Sequence, residues 1–341
     1  MSIFPGTQLP LHHTLTSQMM KEMTWYSLTC LISSTSIFKK MIPNTKSSLS
    51  TDIASRREEL LSYDSSTALL PRYHKQALGI SNTNIWFFGQ PGVGKSKLTN
   101  SIFKSLHDAY DRDTAAVSGS KNSHVTKDLK YIPLSSMGLS GGRPGNISII
   151  DAWGNDDTNY SDVLFDSILK GKVGNGAAMG EKPNKVVSNE NSDRMVHAIV
   201  FVITAASCSE KEDCASLVKY YQMARDNHLF PVVVVTKVDG VNEKLKSQPE
   251  LMDSDPEVAQ AISSLCTNTG IEQEYVYPVR NLSVDIPKER NDFIVWRCLE
   301  ILNAALLAAD RFFEYKCLFG ENENTPVVTK KVLCLNAHYM E

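Results

Sequence analysis

Asn84-Ile-Trp-Phe-Phe-Gly89-Gln-Pro-Gly-Val-Gly94-Lys95-Ser96 is the stretch whose reading decides the fold. Its first five residues are mostly large and apolar, as in a strand buried on both faces. Gly89-x-x-x-x-Gly94-Lys95-Ser96 follows at once, with the spacing of a phosphate-binding loop. Glycines let the backbone fold back so that successive N–H groups converge on a phosphate. Gly89, Gln90, Pro91, Gly92, Val93, Gly94, Lys95, Ser96 and Lys97 are therefore the candidate cradle. Lys95 supplies a point charge for the β- and γ-phosphates, and the Ser96 hydroxyl is a candidate Mg²⁺ ligand. Leu98, Ile102, Phe103 and Leu106 recur at helical spacing, which predicts a helix from 97 to 106 with its N-terminus at the phosphates. By composition the pattern arises in roughly one chain of this size in a hundred.

A chain of 341 residues can bury a substantial core in one large domain or two. With 42% apolar and 21% charged residues it has the composition of a globular protein. Its net charge of −3 gives no global reason to expect nucleic acid or an anionic membrane. The seven cysteines are scattered and form no CxxC pair, which argues against a disulfide framework or a zinc site and suits a reducing, cytoplasmic location. The N-terminus lacks the pattern of a secretory signal, and apolar runs such as 199–206 are too short to span a bilayer.

Residues 1–50 show no sustained period and read as a poorly ordered extension, 51–315 as the core domain, and 316–341 as a tail. A capped helix is expected over 52–63 and a long polar loop over 111–122. Leu129–Leu134 and Asn146–Ile150 read as strands whose short separation predicts an antiparallel pair. Helices are then expected over 161–171, 214–227, 256–265 and 288–315, and strands over 196–205, 231–235 and 275–279, with a loop from Lys172 to Asn191. This alternation predicts an α/β fold, a doubly wound, mostly parallel P-loop NTPase sheet with one antiparallel edge strand.

Two further motifs follow predicted strands. Asp151-Ala-Trp-Gly154 offers a carboxylate for Mg²⁺ and a Gly154 N–H for a γ-phosphate, although Asp-x-x-Gly alone is expected about once per chain by chance. Thr236-Lys237-Val238-Asp239 is more specific. It resembles the Asn/Thr-Lys-x-Asp base-recognition motif of GTPases, which implies that the Asp239 carboxylate accepts from guanine N1–H and the 2-amino group, donors that adenine lacks on that edge, and such a mismatch discriminates by ~10⁴ or more.

The order of the three motifs resembles GTPases of the Ras-like and translation-factor superclass. A finer resemblance, over residues 55–315, is to the interferon-induced protein 44 family. It is carried by Thr126 before Tyr131, by Ile168-Leu-Lys-Gly-Lys-Val173, by Val279-Arg-Asn-Leu-Ser283 and by Leu306–Glu314. The resemblance implies GTP or GDP with Mg²⁺ as cofactors. It also implies that the Lys237 stem covers the base and that Asn281 stands in the loop beside guanine. By the same resemblance Thr126 supplies a hydroxyl to Mg²⁺ and a contact to the γ-phosphate, with Thr114 as alternative.

Catalysis is the least determined part. Lys95, Gly154, Asn155 and Thr126 are the candidate catalytic residues, and Asn155 stands where Ras-like enzymes place a water-orienting Gln. It is one methylene shorter, and Asp156 and Asp157 follow it. Arg112 is a candidate for neutralising charge in cis. These features predict slow hydrolysis or dependence on a partner. A non-hydrolysing interaction module and an ATPase of another P-loop class are the rival readings. His197 and His228 are expected to pack and cap rather than catalyse. Activating or effector proteins and a homodimer are compatible with the sequence, and no transmembrane segment is expected.

Overall fold

The computed structural model describes residues 46–63, 80, 82–108, 128–134, 147–152, 154, 161–178, 189–282 and 291–319. The extension to residue 45, the polar loop 111–122 and the tail beyond 319 lie outside them. In chain order the elements are α1 (Lys46–Leu61), β1 (Thr83–Phe88), α2 (Lys95–His107), β2 (Lys130–Pro133), β3 (Ile147–Asp151) and α3 (Asp162–Leu169). They continue with β4 (Ala198–Thr204), α4 (Lys211–Asp226), β5 (Val232–Thr236), α5 (Pro256–Thr269), β6 (Val276–Pro278) and α6 (Asp292–Phe319).

The mostly apolar character of β1 has a plain cause. The strand order is β2-β3-β1-β4-β5-β6, so β1 is paired on both edges, with β3 and β4, and all six of its residues are buried. The pairs β1–β3, β1–β4, β4–β5 and β5–β6 are parallel. Among the described strands only β2 runs antiparallel, on β3, as the short connection favoured. The sheet is thus doubly wound and mostly parallel with one antiparallel edge strand.

Helices α1, α2 and α6 pack together on one side, and α3, α4 and α5 form the other layer. Trp86 and Phe88 of β1 meet Phe165 of α3, and Phe88 also meets Tyr220 of α4, with ring centroids 4.9–5.0 Å apart. Aromatic clusters of this kind bury large areas and fix helix placement. His197 is fully buried and its Nδ1 accepts from the Asn84 N–H at 2.9 Å. His228 Nε2 lies 3.1 Å from Tyr315 Oη beyond the end of α4.

Boundaries differ from the sequence reading in informative ways. α1 starts at Lys46, ahead of the expected residue 52, and α2 starts at Lys95, because the loop itself winds into the helix. α5 is set by Asp255, whose carboxylate accepts from Glu257 N at 3.0 Å and Val258 N at 3.1 Å, and by Gly270 at φ +73°. Short 3₁₀ turns at Val238–Gly240, Glu243–Lys246 and Pro249–Leu251 fill the stretch after β5 and had no periodic signature. Part of the loop expected from Lys172 instead lies along the outer edge of β2. There Leu129 N donates to Ala177 O at 2.9 Å and Gly176 N to Leu129 O at 2.7 Å, which covers an otherwise open strand edge.

Candidate functional site

The C-terminal ends of β1, β3, β5 and β6 bring the predicted segments together, where a doubly wound sheet places its ligands. Gly89 leaves β1 against β4: a Cβ there would fall 2.1 Å from Val202 O, so only glycine fits. Gly92 at φ +77° and Gly94 at φ +102° turn the loop into α2. Lys95 is buried, and its Nζ donates to Gly89 O at 2.8 Å and Gln90 O at 2.9 Å. An ammonium has three donors, so one remains for an incoming oxygen. Burial lowers the Lys95 pKa from 10.5 to about 8, with the Asp151 carboxylate opposing the shift. A cation stripped of water this way is primed for an anion.

Ser96 and Asp151, 55 residues apart, meet at the start of α2 and the end of β3, with Ser96 Oγ 3.2 Å from Asp151 Oδ2. Asp151 is 2% exposed. A hydroxyl and a buried carboxylate form a hard-oxygen pair of the kind Mg²⁺ takes. Gly154 lies directly on the loop: a Cβ would come 2.3 Å from Pro91 N. Lys97 is exposed on the first turn of α2.

The Thr236–Asp239 segment reaches the same loop. Thr236 is fully buried, and its Oγ1 lies 2.5 Å from Val93 O and 3.2 Å from Ile203 O. Lys237 sits at φ +55° and is exposed, and Asp239 is half-buried. Asn281 follows β6 and its Nδ2 donates to Gly94 O at 3.4 Å. Its Oδ1 is buried, and no described residue hydrogen-bonds it. Thr126, Thr114, Arg112 and Asn155 lie outside the described residues.

Sequence reading missed two supports. The Gln90 side chain reaches Asp213 of α4, its Nε2 donating to Oδ1 at 2.6 Å. Arg297 of α6, 2% exposed, pairs with Asp253 and with Glu300 at 2.6 Å, and so ties the stretch after Asp239 to the last helix. Neither the Gln90–Asp213 nor the Arg297–Asp253 contact has a local signal, because the partners are 123 and 44 positions apart.

Among the described residues no helix is long and apolar enough to cross a membrane. No family model matches the chain, and no curated protein matches it. Among solved structures it is similar to Toc33 from Arabidopsis thaliana in complex with Mg²⁺ and GMPPNP, at 12% identity and a TM-score of 0.40, covering 80% of this chain and 96% of that one. It is also similar to a probable GTP-binding protein engB, at 14% identity and a TM-score of 0.35 over 66% and 99% of the two chains. A third is translation elongation factor SelB from Methanococcus maripaludis in complex with a GTP analogue, at 15% identity and 0.29 over 59% and 30%. At these scores function has to be argued from this chain's own residues.

Proposed function

We propose that this chain binds guanine nucleotide with Mg²⁺ at the loop from Gly89 to Lys97 and turns GTP over slowly, as a nucleotide-dependent switch or scaffold. One observation carries the reading: three segments far apart in sequence converge on one loop, the end of β3 with Gly154 against Pro91 and Asp151 beside Ser96, the end of β5 with Thr236 bonded to Val93, and the stretch after β6 with Asn281 donating to Gly94 O. The remaining Lys95 donor meets a β- or γ-phosphate oxygen. Ser96 and Asp151 would hold Mg²⁺, which when bound neutralises charge on the phosphates. Asp239 accepts from guanine, and Asn281 lies at the junction of base and phosphate sides. Finer kinship with the interferon-induced protein 44 family is part of the proposal and rests on the motifs quoted above. Among the described residues Cys208, Cys214, Cys266 and Cys298 form no disulfide, which supports a cytoplasmic location.

A second reading, a guanine-nucleotide-dependent interaction module without hydrolysis, is favoured by Asn155 in the water-orienting position. Single-turnover assays with radiolabelled GTP separate the two. The first experiment is titration calorimetry with GTP, GDP and ATP plus Mg²⁺ on the native chain and Asp239→Asn. A preference for guanine that collapses in the variant is expected. Equal affinity for ATP would overturn the base assignment, and absence of binding would overturn the whole reading.

A further inference from the structure

Gln90 belongs to the phosphate loop, yet its side chain is held by a helix. Its Nε2 donates to Asp213 Oδ1 on the first turn of α4 at 2.6 Å, a bond strengthened by the acceptor's charge. The main-chain carbonyl of the same residue accepts from Lys95 Nζ at 2.9 Å, beside the Gly89 carbonyl at 2.8 Å. Side chain and carbonyl share one Cα, so fixing the first restricts rotation of the peptide that carries the second. On the other flank, the ring of Pro91 fixes its own φ and its backbone lies against Gly154. The peptide that aims Lys95 is thus clamped from both ends.

We propose that Asp213 is a positioning residue for the phosphate loop: through Gln90 it holds the carbonyls that aim the Lys95 ammonium, so the first turn of α4 sets how tightly a phosphate-bearing ligand is kept. For its ligand this rests on the nucleotide reading; for its effect on the loop it rests on the geometry of Gln90. The same helix carries Lys219, whose Nζ lies 2.5 Å from Asp162 Oδ1 at the start of α3, the helix that follows Gly154. That exposed pair is weak by itself, but it means that α4 touches the supports of both phosphate-facing segments. A partner that shifts α4 would be felt at the nucleotide.

The test compares Asp213→Ala, Gln90→Ala, the double variant and Asp213→Asn, which keeps an acceptor oxygen while losing the charge. Amide exchange across residues 89–97 is measured on nucleotide-free protein, and release of fluorescent GDP on the complex. Both alanine variants are expected to speed exchange in that segment and GDP release by about tenfold, the scale of one hydrogen bond to a charged group. Exchange in β5 should stay unchanged, the double variant should be no worse than either single one, and Asp213→Asn, which keeps a neutral acceptor, should fall between the native chain and Asp213→Ala. Native-like exchange in the alanine variants would overturn the proposal. So would Asp213→Asn behaving like Asp213→Ala, since charge rather than the acceptor would then be responsible. If the native chain binds no GDP while the exchange pattern holds, the nucleotide reading falls and the positioning role stands.

Discussion

Thr236 Oγ1 lies 2.5 Å from the carbonyl oxygen of Val93, a contact between residues 143 positions apart that joins the end of β5 to the phosphate loop. Both groups are buried, so removing the hydroxyl strands an acceptor in the core. Thr236→Val should cost about 1–3 kcal/mol of stability, read as a lower urea midpoint with an unchanged slope. It should also weaken nucleotide binding as a whole, because the base and phosphate sides share this bond.

The loop glycines should not be equivalent. At Gly89 an added Cβ would sit 2.1 Å from the Val202 carbonyl, which β4 pairing prevents from moving. At Gly92 the added atom meets nothing within 4 Å, and only the φ of +77° opposes it. Gly92→Ala should therefore cost about 1–2 kcal/mol. Gly89→Ala should cost more, about 3 kcal/mol, through overpacking against backbone. Urea unfolding of the two variants checks the order, and equal losses would contradict it.

Gly154→Ala tests the second phosphate-facing segment. Its Cβ would lie 2.3 Å from Pro91 N and 2.5 Å from Pro91 Cα, so the segment must lift from the loop. Affinity for a non-hydrolysable GTP analogue should fall about tenfold or more, the scale of a lost charge-assisted hydrogen bond, while GDP affinity is kept. Equal loss for both nucleotides would show that Gly154 serves the loop and not the γ-phosphate.

Lys95 predicts a pH dependence whose sign follows from its environment. Burial brings its pKa from 10.5 down to about 8, against the pull of Asp151. Between those values the unfolded chain holds a proton that the folded, ligand-free protein has released. The Lys95 contribution therefore raises stability as pH climbs through that window. A bound polyphosphate favours the charged form, so binding should take up a proton near pH 9, and affinity should fall as pH rises above about 8. Calorimetry in two buffers of different ionisation enthalpy measures the uptake. It should vanish in Lys95→Met, and its absence in the native chain would refute the assignment.

The sequence by itself determined the elements whose signals are local. The run Asn84–Phe88 reads as a doubly buried strand because four of its five residues are large and apolar, and it proved to be the centre of the sheet. The Gly89–Ser96 spacing announces a loop because glycines and the helix after it are consecutive, and the antiparallel β2–β3 pair is the arrangement that a short connection favours. The tertiary structure alone decided which side chains support that loop. Thr236 reads as part of a base motif, and only the fold shows its hydroxyl against Val93 O. Gln90 reads as a cradle residue, and only the packing of α4 shows its amide turned to Asp213. The Arg297 pairing with Asp253 is equally silent in the chain. The physical reason is common to all three: a hydrogen bond or ion pair between residues tens to more than a hundred positions apart leaves no periodicity or spacing in the sequence. It exists only because parallel strands deliver their C-terminal ends, and the helices that follow them, to one edge of the sheet.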